Sequence, residues 1–433
     1  MKSTDQLLAK LGIKTLNEMQ REARKAIRQH DEVVLLSPTG TGKTLAFLLP
    51  ILEELNPKLE AVQALIVVPS RELAAQIEQV LRSLGSGFRI LTVYGGHSGS
   101  RQRDELKNPP AILVGTPGRI ADHLRREAFA VKHLRTLVLD EFDKSLETGF
   151  GKEMTQIVRD LPALRKKVLT SATQAVDVPD FVELTDPLTI NYLNARSSRL
   201  KLVEVIAPDK DKLSTLERLL ARTGNGRGII FCNFKETIKF VSEFLTARRI
   251  DHGIFMGGLE QTDRERALIK FRNGTHRLLL ATDLAARGID VPELDFIVHY
   301  QLPPREDEFT HRNGRTARMH ANGTAYFLRW ADAPRHDYLP DTEELLLDGD
   351  AGNVQNSKWT TLYVSAGRKD KVSKGDLAGM FFKQGGLEKD ELGVIELLAD
   401  CAFVSVPRKK AAAVTALLDN GRVKKRKVRV REA

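Results

Sequence analysis

The 433-residue chain has only two cysteines, Cys232 and Cys401, and both sit inside apolar, strand-like runs. Two are too few for a disulfide framework, so the fold has to rest on its own core, as suits a reducing cytoplasm. No apolar run approaches the roughly 20 residues needed to span a bilayer. The stretch Met1-Lys2-Ser3-Thr4-Asp5 lacks the apolar centre of a secretory leader, so a cytoplasmic protein without a membrane partner is expected. No sequence repeat relates the two halves. There is no acidic excess either: the net charge is +10, and about +8 of it falls within residues 351–433. A basic appendage on a nearly neutral body points to a polyanion bound mainly at one end. With 42% hydrophobic and 29% charged residues, the chain has the composition of a globular protein and enough length for two or three cores.

What is present is organised around Ser37-Pro38-Thr39-Gly40-Thr41-Gly42-Lys43-Thr44. It follows the apolar run Val33–Leu36 and precedes Leu45-Ala46-Phe47-Leu48-Leu49, which predicts strand, glycine-bearing turn and helix. Gly40 and Gly42 let successive N–H groups converge on an anion. The helix start adds its positive dipole end, Lys43 a full charge for β- and γ-phosphates, and Thr44 a hydroxyl for Mg²⁺. Ser37 stands where the general phosphate-loop pattern has glycine.

Short, nearly continuous apolar runs recur at Ala64–Val68, Ile90–Val93, Ile112–Val114, Leu137–Leu139 and Val168–Leu169, with helical segments between them. A second series comprises Ile229–Cys232, Leu278–Ala281, Ile297–His299 and Ala325–Leu328. Strands apolar on both faces imply parallel sheets covered by helices, an α/β fold. The weakly periodic stretch 194–211 suggests a boundary, which divides the chain into domains at 1–206 and 207–340. Ligands in such sheets lie beyond the carboxyl ends of strands. There the sequence places Pro69–Glu72, Thr116–Arg119, Asp140-Glu141-Phe142-Asp143 and Thr170–Thr173. Asp140 is suited to face Mg²⁺ through its water shell, and Glu141 to orient or deprotonate the attacking water. The second series lacks a phosphate loop but has Arg312, Arg315 and Arg318 at three-residue spacing. An arginine row suits transition-state charge on a γ-phosphate.

These motifs, in this order, resemble the DEAD-box ATP-dependent RNA helicases of superfamily 2 over residues 10–330. The resemblance implies two tandem RecA-like domains, ATP and Mg²⁺ as cofactors, RNA as partner, and monomeric action. It implies that Gln20 reads the adenine edge, with Ser37, Thr39, Gly40, Thr41, Gly42, Lys43 and Thr44 around the phosphates and Asp290 at the ribose. It gives Lys43, Asp140, Glu141, Arg315 and Arg318 to hydrolysis, the two arginines as fingers. Asp143, Ser171, Thr173 and His311 would couple hydrolysis to RNA. Arg71, Gly95, Gly96, Thr116, Arg119, Thr282 and Gly288 would grip RNA phosphate and sugar without reading sequence. Phe142 stands where the family's tetrad has alanine, and Asn17-Glu18 where its adenine motif has Thr-Pro. The first change leaves the backbone position intact. The second bears on base discrimination.

Residues 341–358 read as an acidic and polar linker. Residues 359–433 read as strand, helix, two strands, helix and a basic strand at Val428–Val430, an α+β order that resembles an RNA-recognition motif. Period-two alternation puts Tyr363 and Phe403 on one face, opposite Leu362, Val364, Ala402, Val404 and Val406; Cys401 falls where that family often has a third aromatic. The run Arg422, Lys424, Lys425, Arg426, Lys427, Arg429, Arg431 offers phosphate contacts instead, with Lys424, Arg426 and Arg429 as its leading candidates. A motor with such a tail resembles bacterial ribosomal-RNA helicases of the DEAD-box protein A type, which implies an rRNA hairpin or duplex as substrate. The competing readings are a non-catalytic RNA clamp or general RNA chaperone, and a DNA helicase of the same superfamily. Intact Lys43, Asp140 and Glu141 oppose the clamp; Gln20, the tetrad ending at Asp143 and the tail favour RNA over DNA.

Overall fold

In the computed structural model the described residues are all except 1–2, 97, 148, 174–177, 194–199, 284–293, 317–321, 348 and 350–351. They divide into two units, one including Met1–Ser198, the other Arg199–Ala286 and Val291–Ala433.

In the first unit β1 (Glu32–Leu36), β2 (Ala64–Val67), β3 (Ile90–Val93), β4 (Ile112–Gly115), β5 (Thr136–Leu139), β6 (Lys166–Ser171) and β7 (Leu188–Asn191) form one sheet. Their order is β3-β4-β2-β5-β6-β1-β7, and every pairing is parallel. β2, β4 and β5 are buried at each residue, as strands covered on both faces must be. Val33 and Leu35 pack into one apolar cluster with the helices Glu18–Gln29 and Lys43–Glu54, while Val34 joins the cluster on the opposite face. Local chemistry starts the helices: Asn17 and Ser70 accept backbone N–H groups at the entries to Glu18–Gln29 and Arg71–Leu84.

The second unit repeats the architecture with β8 (Leu200–Ala207), β9 (Gly228–Phe231), β10 (Gly253–Phe255), β11 (Leu278–Ala281), β12 (Phe296–His299), β13 (Gly323–Trp330) and β14 (Glu343–Leu346), in the order β10-β11-β9-β12-β13-β8-β14. All described pairings are parallel. Two boundaries expected from sequence move. β8 pairs with β13 along its whole length, so the second unit begins near residue 199 rather than 207. β14 extends the same sheet beyond β8, so the expected linker 341–358 opens with a strand of the motor. β8 escaped notice because Lys201 and Glu204 interrupt its apolar residues. Glu204 is 1% exposed and is held by Arg329 and by Arg335 at 3.2 Å, partners more than a hundred residues away.

The C-terminal part of this unit has β15 (Trp359–Val364), β16 (Ile395–Leu397), β17 (Ala402–Pro407), β18 (Arg422–Val423), β19 (Arg426–Lys427) and β20 (Val430–Glu432). An antiparallel sheet in the order β16-β17-β15-β20 is backed by the helices Lys374–Lys383 and Ala411–Leu418. Leu362, Val364, Ala402, Val404, Val406 and Val430 supply its core. The basic run does not continue as one strand into β20. Residues 422–427 fold back as a separate β18–β19 hairpin around Lys424, whose φ is 54°. Among the described residues no helix is long and apolar enough to cross a membrane.

Candidate active site

Past β1 the chain turns through Ser37–Gly42 into the helix Lys43–Glu54. Gly40 and Gly42 take φ of 84° and 90°, left-handed values that favour glycine. Space demands it too: a Cβ on Gly42 would lie 2.3 Å from Gln20 Nε2. Lys43 Nζ donates to Ser37 O at 2.5 Å and Pro38 O at 2.9 Å, which holds the ammonium over the loop. Ser37 is fully buried, and its hydroxyl lies 2.8 Å from that of Thr41, which donates onward to Pro38 O. The residue that departs from the general glycine pattern thus braces the loop. Thr39 Oγ1 is buried without a hydrogen-bond partner among the described residues, and Thr44 is half-buried in the first helical turn.

Gln20 is 3% exposed and ties the preceding helix to this loop. Its N–H donates to Asn17 Oδ1 at 2.8 Å, its Oε1 accepts from Asn17 N–H at 3.0 Å, and its Nε2 donates to Gly42 O at 3.2 Å. Asn17 Nδ2 in turn donates to Thr41 O at 2.9 Å. Asn17 therefore serves as helix cap and loop clamp together.

The neighbouring strand ends carry the acids. Asp140 is 3% exposed and accepts a hydrogen bond from Thr170 Oγ1 of β6. Burial, and after it the charge of Glu141, pushes its carboxyl up to about 6. Glu141 adopts φ 49°, a conformation costing an L residue of order 1 kcal/mol, and its N–H donates to Thr170 Oγ1 at 3.3 Å. Thr170 thus holds both acidic residues, a role that nothing in its spacing announced. Asp143, 1% exposed, accepts from Thr173 Oγ1 at 3.1 Å and lies 3.8 Å from the buried Lys144 ammonium. Ser171 Oγ donates to Thr173 O at 2.8 Å, and Ser171 O accepts from Ser37 N–H at 3.0 Å. One hydrogen-bonded chain therefore runs from the phosphate loop through Ser171 and Thr173 to Asp143.

The ends of β2, β3 and β4 gather the other candidates. Arg71 opens its helix; a Cβ on Gly95 would sit 3.0 Å from Arg71 Nη2. Gly96 has φ 93°. Thr116 caps the helix Pro117–Arg125, in which Arg119 lies 3.7 Å from Asp122. Loop and acids occupy one half of the sheet's carboxyl edge, these residues the other.

In the second unit the ends of β9, β11 and β12 meet at Arg312. This arginine is 1% exposed. It donates from Nε to Asp283 at 2.6 Å, from Nη1 to Gln301 O at 2.6 Å and from Nη2 to Asn233 Oδ1 at 2.7 Å. Its guanidinium also lies over the Phe231 ring, 5.1 Å from the centroid. It is an internal strut and does not belong to an arginine row. Arg315 follows in the next turn, 5% exposed, and Thr282 is 9% exposed at the end of β11. His311 lies in the helix Glu306–Asn313. Gly288, Asp290 and Arg318 lie outside the described residues.

Comparison with known proteins decides what this arrangement belongs to. The family described as DEAD/DEAH box helicase matches residues 17–181, the helicase conserved C-terminal domain residues 211–320, and the DbpA RNA binding domain residues 361–432. The chain is 33% identical to the ATP-dependent RNA helicase DbpA of Escherichia coli over 98% of its length and 96% of the relative's. The DbpA of Bacillus subtilis is 28% identical with the same coverage. The chain belongs to the DbpA group of DEAD-box ATP-dependent RNA helicases. Among solved structures, Saccharomyces cerevisiae Dbp5 bound to RNA and ADP BeF3 is similar over 80% of this chain and 94% of that one, with 25% identity and a TM-score of 0.68.

In this DEAD-box chain the C-terminal candidates are placed unequally. Phe403 is 4% exposed and Tyr363 half-buried. Their rings meet edge to face at 5.7 Å, and the Arg431 guanidinium lies 5.1 Å from the Tyr363 centroid. Lys424 pairs with Asp376 at 2.8 Å, Arg426 with Asp370, and Arg429 with Asp419 at 2.9 Å. Lys424 holds the Asp376 carboxyl down to about 2. Arg422, Lys425 and Lys427 are exposed and form no ion pair among the described residues.

Proposed function

We infer that this DEAD-box helicase remodels ribosomal RNA duplexes during large-subunit assembly, acting as a cytoplasmic monomer. The observation that carries the reading is the fused, strongly basic C-terminal domain, which gives an otherwise unselective motor an address on RNA. In this reading the amides of Thr39–Lys43 and the Lys43 ammonium bind the β- and γ-phosphates, while Gln20 reads the adenine and Asp290 the ribose. Among the described residues no cluster of three or more His, Cys, Asp or Glu side chains could cage a metal. Mg²⁺ would accordingly be held chiefly by phosphate and water, with Thr44 and Asp140 facing it; the raised carboxyl of Asp140 fits a group awaiting a cation. Bound there, the ion would neutralise charge building on the leaving phosphates.

Glu141 orients the attacking water and accepts its proton. Arg315 and Arg318 meet the transition-state charge when RNA draws the domains together. Asp143, Ser171, Thr173 and His311 carry the consequence to the RNA contacts at Arg71, Gly95, Gly96, Thr116, Arg119, Thr282 and Gly288.

The reading is tested by ATPase assays with total rRNA, fragmented rRNA, poly(A) and DNA at equal nucleotide concentration. Intact rRNA should stimulate most and DNA not at all. Equal stimulation by poly(A) and rRNA would sink the ribosomal assignment. RNA binding without any turnover would turn the chain into a clamp.

A further inference from the structure

Two helices of the first unit, Gly99–Leu106 and Pro117–Arg125, follow β3 and β4. A buried pin joins them. His123 is fully buried with its Nε2 3.3 Å from Gln102 Oε1, and Gln102 Nε2 donates to Tyr94 O at 3.2 Å. An amide oxygen only accepts, so the imidazole carries its proton on Nε2. Nδ1 is buried with no hydrogen-bond partner among the described residues. Burial, and after it the charge of Arg119, pulls the pKa of this imidazole down to about 4. The pin therefore stays neutral at physiological pH.

Each end of the pin has an arginine close by in the chain. Arg103 follows Gln102, and Arg119 precedes His123 by one helical turn. Their guanidinium groups converge over Gly99, the first residue of its helix: a Cβ there would lie 2.8 Å from Arg119 Nη1 and 3.4 Å from Arg103 Nη1. Two cations this close repel one another, and the nearby carboxylates are committed elsewhere. Asp122 lies 3.7 Å from Arg119 but only 2.8 Å from Arg126, whose hydrogen bond is the first cause of its lowered pKa. Asp104 pairs with Lys107 at 2.9 Å, and Glu105 with Arg101 at 3.5 Å. Arg103 is half-buried, and its side chain forms neither hydrogen bond nor ion pair among the described residues.

We propose that Arg103 is a further RNA ligand of the motor, and that it shares with Arg119 one phosphodiester of the bound strand. A phosphodiester has two free oxygens and can take N–H groups from both guanidinium forks at once. Its charge also removes the repulsion between the two arginines, so the pair is worth more to an anion than either arginine alone. Half-buried side chains stand on helices that the Gln102–His123 pin holds together, so little ordering is needed when the strand arrives. The contact reads no base and therefore strengthens every RNA alike. The proposal rests on the reading that Arg119 and its neighbours grip RNA, and it adds a residue that lies in none of the motifs.

The test is filter binding of poly(A) to the full chain with a non-hydrolysable ATP analogue, across a KCl series. Arg103→Gln should raise Kd by about ten-fold, the scale of one lost hydrogen bond to a charged group. It should also flatten the plot of log Kd against log salt by about 0.7, the share of one phosphate on a single strand. Arg103→Lys should keep the wild-type slope, because charge alone releases the counterion, and recover part of the affinity. Arg103→Gln combined with Arg119→Gln should raise Kd by less than the product of the two single effects, as residues that share a partner do.

Wild-type affinity and slope in Arg103→Gln would overturn the proposal. So would a loss of affinity with the slope intact, or an Arg103→Lys as flat as the Gln variant, since either would mean that Arg103 packs rather than binds. A double variant at the full product would put the two arginines on separate phosphates and overturn the shared contact. Arg119→Gln alone tells this failure from that of the underlying reading. If it weakens poly(A) binding while Arg103→Gln does not, only the role of Arg103 is lost. If both variants bind as wild type does, this edge of the sheet does not grip RNA at all.

Discussion

At the residue scale, the first of the three arginines that the sequence aligned with one another has a structural task. Arg312 is spent on Asp283, Gln301 and Asn233 inside its own unit, and removing it strands a carboxylate among buried groups. Arg312→Ala should destabilise the second unit by about 3–5 kcal/mol, read as a lower urea midpoint in the absence of any ligand. Arg315→Ala should lower RNA-stimulated turnover by a large factor, since arginine fingers contribute roughly 10³–10⁵ in rate. Undiminished turnover in saturating RNA would remove Arg315 from that role. Glu141 admits a cleaner test. Glu141→Gln should still bind ATP and RNA together, because Lys43 and the loop are untouched, yet nearly stop hydrolysis; near-wild-type turnover in saturating RNA would remove it from the water-handling role. The phosphate loop was legible because its glycine spacing is local. The Arg312 strut was not, since Asp283 and Asn233 lie 29 and 79 residues away and nothing local marks either as its partner.

At the scale of elements, nearly continuous apolar runs marked the strands, and β3 and β11 fall where those runs do. β8 was missed because a buried Glu204 imitates a surface residue until its arginines are seen. The basic tail shows the same limit: seven cations in ten positions read as one strand, while the turn at Lys424 and the aspartates paired with its cations make a hairpin of unequal charges. Since Lys424, Arg426 and Arg429 already face Asp376, Asp370 and Asp419, a phosphate must displace a carboxylate to use them. Arg422, Lys425 and Lys427 carry no such cost. Changing those three to Gln should flatten the plot of log Kd for total rRNA against log salt by about 2, at roughly 0.7 per released counterion. Changing Lys424, Arg426 and Arg429 should flatten it less, and Tyr363→Ala with Phe403→Ala should leave the slope alone. Filter binding across a KCl series measures all three, and a slope that responds to the aromatic pair but to neither triple would return RNA reading to the sheet.

At the scale of the whole molecule, the alternation of strands and helices foretold two parallel sheets, and the order strand, helix, two strands, helix, strand foretold a small α+β appendage. What it could not foretell is that Thr361 and Ser405 are buried against Thr275 and Asn273, because hydroxyls on a strand read as exposed in the sequence. The same hidden packing sets a pH limit. His299 is fully buried, stacked on Phe309 at 4.7 Å, and bonded through Nε2 to Asn313 at 3.0 Å. Burial, and after it the charge of Arg312, pulls its pKa down to about 3. The folded chain therefore keeps this imidazole neutral where the unfolded chain protonates it. Below about pH 6.5 the unfolded state binds the extra proton, so stability falls with pH until the folded form also titrates near 3. By pH 5 the loss from this residue should reach about 2 kcal/mol, at 1.36 kcal/mol per unit. His276, pulled to about 4 chiefly by burial, adds to it in the same direction. Both tryptophans, Trp330 and Trp359, lie in the second unit, so their emission follows its unfolding in urea. His299→Gln can still donate toward Asn313 but does not titrate. It should cost some stability at pH 7.5 and shed close to one proton's worth of slope between pH 6.5 and 5. Parallel lines for variant and wild type across that interval would mean that His299 is not what makes the unit acid-sensitive.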